Sequence, residues 1–109
     1  MAYDEGLAQR IREAMADEPG VVEKQMFGGI AFLLGGNMSV GVIGDEMCVR
    51  VGPAAYDAAL SEPGARLFDF SGRPMKGWVM VGAEGIDDED AFAGWVARGA
   101  AFARSLPPK

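Results

Sequence analysis

Histidine is absent from this chain, and cysteine occurs once, at Cys48. The first absence removes the usual general base, the Ser-His and Cys-His nucleophile pairs and the commonest metal ligand together. The second excludes an intramolecular disulfide. Bases are scarce beside acids, ten against sixteen, and the net charge of -6 with a pI near 4.5 sets the field of the whole molecule against polyanions such as nucleic acid and against anionic membrane surfaces. No apolar run approaches the ~18 residues that span a bilayer. The start, Met1-Ala2-Tyr3-Asp4-Glu5, lacks the basic opening and apolar core of a signal peptide. The expectation is a cytoplasmic protein with no membrane partner.

What is present describes a globular domain. Of 109 residues, 50% are hydrophobic and 24% charged, far from the composition of a disordered chain. The length suits one core rather than two, so residues 1–109 are expected to form a single domain.

Leu7, Ile11 and Met15 fall four residues apart between Asp4 and Ala16, which predicts a first helix that stops by Glu18-Pro19-Gly20. The period then changes. From Val21 to Val51 the chain is rich in Val, Ile, Phe, Met and Gly, with breaks at Gly28-Gly29, Gly35-Gly36 and Gly44-Asp45. This predicts four hairpin-linked strands, Val22 to Phe27, Ile30 to Leu34, Met38 to Ile43 and Glu46 to Val51. Met38, Val40 and Val42, and then Met47, Val49 and Val51, alternate with smaller or polar residues. Pro53 to Leu60 reads as a short second helix, and Ser61 to Gly77 as a long connection leading to a fifth strand, Trp78 to Val81. The last helix is expected to start with Asp87 as N-cap and to bury Phe92, Trp95, Val96, Gly99, Phe102 and Leu106. The order α-β-β-β-β-α-β-α implies an α+β fold of two layers, an antiparallel sheet of about five strands with helices on one face.

Three stretches carry a resemblance: Met26-Phe27-Gly28-Gly29-Ile30-Ala31-Phe32 with Gly36-Asn37-Met38, then Val49-Arg50-Val51-Gly52, and Gly72-Arg73-Pro74-Met75-Lys76-Gly77-Trp78. With the acidic start and apolar stripe of the last helix, the chain resembles the N-terminal domain of the TfoX/Sxy competence-regulator family over nearly its whole length. The resemblance implies a secretion-chaperone-like α+β fold and a regulatory setting, and it supplies no catalytic residue. Longer members carry a second, helical domain after this one; here the sequence ends at Lys109, and a stand-alone domain is expected.

The acids at Asp87 to Asp90 and Asp45-Glu46 read as a helix N-terminus and a hairpin turn before they read as catalytic or metal-binding groups. Gly28-Gly29 lacks the Lys and Ser/Thr of a phosphate loop, and Cys48 reads as a buried strand residue. Arg66 to Trp78 is the one stretch in which bases outnumber acids and alternate with aromatics. Arg50, Arg73, Lys76 and Trp78 are therefore the candidate binding residues, with the alternative that Phe68, Phe70 and Trp78 anchor a loop while Arg66 or Arg73 pairs with Asp69. No catalytic residue, metal ligand or cofactor is assigned. The leading function is a non-enzymatic interaction or regulatory module that docks onto another protein or onto a second copy of itself, as a homodimer. Nucleic-acid or anion binding through the Arg73–Trp78 loop is the second function, disfavoured for nucleic acid by the net charge, and an enzyme acting on a small acidic substrate is the third. For self-association, the uncharged strand Trp78 to Val81 is the expected partner edge unless the fold places it centrally.

Overall fold

A computed structural model describes residues 3–26, 28–69 and 75–108. The first helix, α1 (Glu5–Ala14), begins where the Asp4 carboxylate accepts a hydrogen bond from the Leu7 amide, 3.1 Å away, filling one of the donors a helix start leaves unpaired. Leu7, Ala8 and Ile11 form its buried stripe. The glycine breaks then turn the chain through a meander of β1 (Val21–Met26), β2 (Gly29–Leu34), β3 (Asn37–Ile43) and β4 (Glu46–Arg50), paired antiparallel in sequence order. Gly28, Gly35, Gly36 and Gly44 hold the positive φ that these tight turns require. The predicted end of the first strand, Phe27, lies outside the described residues.

A 3₁₀ turn at Pro53–Ala55 leads into α2 (Tyr56–Leu60), so the predicted second helix is present with its first turn wound tighter. Two elements were not foreseen. β5 (Ala65–Leu67) lies within the long connection, and α3 (Ala83–Ile86) follows β6 (Trp78–Val81). Among the described residues the sheet therefore has six strands, one more than the five or so expected, in the order β1-β2-β3-β4-β6-β5. Trp78–Val81 is an internal strand between β4 and β5, which overturns its expected place as a partner edge. The final helix, α4 (Glu89–Ser105), takes Asp88 rather than Asp87 as its N-cap: the Asp88 carboxylate accepts from the Ala91 amide at 2.9 Å, while Asp87 closes α3.

α1, α2, α3 and α4 contribute to one core with Phe32, Val40, Val42, Met47, Val49, Val79 and Val81 of the sheet. The architecture is α+β, with one antiparallel sheet. Within α4, Trp95 is 3% exposed and Phe92, Val96 and Gly99 are buried as expected; Phe102 and Leu106 are only half-buried, and Ala100 and Ala103 take the inner positions instead. α4 lies close over β3 because Gly99 has no side chain, a Cβ there standing 2.5 Å from the Ser39 carbonyl. Alternate strand residues point to the opposite side of the sheet. There Ala31, Met38, Cys48 and Met80 pack with Phe68 in a second, smaller cluster.

Candidate functional site

β4 and β6 run side by side with Arg50 opposite Trp78, so antiparallel register alone brings together two of the four candidate residues. Two glycines make the approach tight. The Gly77 carbonyl accepts hydrogen bonds from both the Val51 and Gly52 amides, at 2.8 and 3.0 Å, and a Cβ on Gly77 would stand 3.2 Å from the Gly52 carbonyl carbon. Gly52, at φ 88°, faces the ring of Phe102, where a Cβ would fall 2.6 Å from Cδ1. The bare backbone at 52 lets the outer end of α4 close over the end of the sheet.

Arg50 lies over two rings in this corner. Its Cζ is 5.0 Å from the Trp78 centroid and 5.3 Å from that of Phe102, both within the range of cation–π attraction. Other arginines share the aromatic contact and differ in one respect. Arg10 lies over Phe92 and meets Glu89 at 2.8 Å; Arg98 lies over Trp95 and meets Glu62. Arg12 pairs with Glu23, Arg66 with Glu46 and Arg104 with Glu18. Among the described residues Arg50 alone of the arginines has no carboxylate partner, and residues 1, 2, 27, 70–74 and 109 contain no Asp or Glu.

Lys76 is exposed in the turn that enters β6. Arg73 lies outside the described residues, as do Phe70 and Pro74. The pairing of Arg66 with Asp69 does not form, since Glu46 on β4, reached across β6, takes Arg66. Phe68 does anchor its segment: it is 2% exposed, its ring meets that of Trp78 edge-on at 6.0 Å, and its carbonyl accepts from the Met75 amide. Of the acids singled out as alternatives, Asp88 caps α4, Glu89 pairs with Arg10 and Glu46 pairs with Arg66. Cys48 is fully buried, and burial pushes its thiol up to about 12.

Beside this corner runs a groove of about 520 Å³ between α2 and α4. Val51, Ala58 of α2, and Ala101 and Phe102 of α4 are among the residues that line it. The Glu62–Arg98 ion pair closes its rim. Phe102 is thus shared, part of the groove lining and one of the two rings over which Arg50 lies. Sequence reasoning placed Phe102 in the core and passed over the groove; the available signal was the pair Gly52 and Gly77, each in a recognisable stretch. Those two stretches converge here. The third, around Gly28-Gly29, lies at the other end of the strands, where Met26 pairs with Gly29.

No curated protein and no solved structure matches the chain. The family model described as the TfoX N-terminal domain matches residues 13–103, from within α1 to near the end of α4 and across both converging stretches. By that match the chain belongs to the TfoX N-terminal domain family.

Proposed function

We propose that this domain is a non-enzymatic interaction module in a regulatory setting like that of the competence regulators, and that it works in the cytoplasm by docking onto another protein or onto a second copy of itself. The observation that carries this is Arg50, held over Trp78 and Phe102 at the edge of an apolar groove with no acid of its own. A half-buried guanidinium held over two rings, with no carboxylate from the described residues, leaves its N–H fork open to an acceptor from outside. Family membership supports the regulatory setting, and the charge pattern supports a protein partner over a polyanion. The basic stretch that suggested nucleic acid loses Arg66 to Glu46, and the net charge of -6 opposes any long phosphate backbone. The experiment is quantitative affinity purification of the full chain from its native cytoplasm, comparing wild type with Arg50→Gln and Phe102→Ala. A defined partner retained by the wild type and depleted with both variants is expected. Nucleic acid as the dominant co-purifying species, or turnover of a small molecule by the purified chain, would replace this function with one of its alternatives.

A further inference from the structure

We infer that the corner of Arg50, Trp78 and Phe102 is a carboxylate-binding site, and that its natural occupant is a short partner segment that places an acidic side chain on Arg50 and an apolar one in the α2–α4 groove. This rests on the interaction function proposed above and names the chemistry of the partner. The rings hold the guanidinium in place without taking its N–H groups as hydrogen-bond donors, and no described residue accepts from it. Arg carries five such donors in a fork that matches a carboxylate in bidentate fashion. Because the two rings already restrain the side chain, little of its freedom is left to lose on binding.

Arg10 and Arg98 show what the same arrangement does when complete. Each combines one ring with one glutamate from this chain. Arg50 has two rings and lacks the carboxylate, so the missing component is an acid from elsewhere. Phosphate offers oxygens of similar geometry, but the neighbouring surface is apolar: Val51, Ala58, Ala101 and Phe102 line the groove that begins at the shared ring. A single carboxylate attached to an apolar group satisfies both halves. A polyanion would bring repeated charge against a molecule of net charge -6 and leave the groove unused.

The test titrates the ¹⁵N-labelled full chain with two blocked dipeptides, acetyl-leucyl-glutamate amide and its glutamine counterpart, and separately with inorganic phosphate and a short oligothymidylate. The glutamate peptide is expected to shift the Arg50 Nε–H and the Trp78 indole N–H together with the Ala58 and Ala101 amides, and to bind about tenfold more tightly than the glutamine peptide, the difference expected of a hydrogen bond to a charged group. Arg50→Gln should abolish that preference while leaving distant amides in place. Should the variant fail to fold, the acid–amide comparison on the wild type decides alone. Equal binding of the two peptides, shifts that spare Arg50, or phosphate or oligothymidylate binding as tightly as the glutamate peptide would overturn the inference. Partner capture that survives Arg50→Gln would overturn it too while leaving the interaction function intact, since the module would then dock through another surface.

Discussion

Cys48 sits on β4 with 0% exposure, and the cost of placing a thiolate there raises its pKa from 9.0 to about 12. Below pH 9 the folded and unfolded chains both carry mainly the neutral thiol, and Cys48 costs no stability. Between about 9 and about 12 the unfolded chain ionises while the folded one resists, so stability falls as pH rises through that window. Thermal melts taken at rising alkaline pH should therefore show a steeper loss for wild type than for Cys48→Ala, and thiol reagents should label the folded protein far more slowly than the denatured one; parallel pH profiles or rapid labelling would contradict this burial. Trp95 and Phe102 make a second residue-scale comparison. Both were expected in the core, but Trp95 is 3% exposed and Phe102 half-buried. Trp95→Ala should cost about 3 to 5 kcal/mol in denaturant unfolding, much of the margin of a small domain. Phe102→Ala should cost clearly less, its larger effect falling on the groove and on the seat of Arg50.

Within α4 two glycines occupy the same helix and predict opposite outcomes. Gly94 has nothing within 4 Å of a built Cβ, so Gly94→Ala should stabilise by up to about 1 kcal/mol through helix propensity alone. Gly99 gains the same propensity, but its Cβ would stand 2.5 Å from the Ser39 carbonyl and nearly as close to a methyl of Val40. Backbone on the facing strand has nowhere to go. Overpacking of about 1 to 3 kcal/mol outweighs the gain, and Gly99→Ala should lower the unfolding midpoint. The same element shows what a sequence makes legible. The stripe of α4, the stripe of α1 and the four-strand meander follow from local period and glycine placement, and each is found within a residue or two of its expected bounds. β5 escapes that logic. Its three residues include Arg66 and the 42% exposed Leu67, and it becomes a strand by pairing with β6, which the local pattern does not encode. The absence of charge in Trp78–Val81 was legible but has two meanings, an unguarded edge or a central strand, and only the sheet order separates them. The site was legible in part for the same reason: Arg50 and Trp78 were nameable as types, whereas their meeting with Phe102 depends on how α4 crosses the sheet.

For the molecule as a whole, the sheet ends at β1 on one side and at the three-residue β5 on the other. Each edge carries an exposed large apolar residue, Val22 at 58% and Leu67 at 42%. If the docking partner is a second copy, β1 is the longer template, and light scattering should then read about twice 11.5 kDa, returning to one chain mass with Val22→Lys. Lysine at Val79, a residue with 0% exposure, should unfold the chain rather than separate it. Like charges limit how two β1 strands meet: antiparallel registers centred on Glu23 or on Lys24 set each against its own copy. No described helix is long and apolar enough to cross a membrane.

The bond pattern at Gly77 also orders events in time. β1 to β4 are joined by turns of a few residues and zip up from neighbours in sequence, whereas β4 ends at Arg50 and its next partner begins only at Trp78. Closing that loop costs chain entropy before the paired strands return any of it, so the meander should assemble early and the β4–β6 seam late. Arg50 meets Trp78 only across that seam, which makes their contact a reporter of the fully native state. In pulsed hydrogen exchange during refolding, the β2 and β3 amides should gain protection before those of Val79 and Val81, and the carboxylate corner should come into being only as the last strands lock.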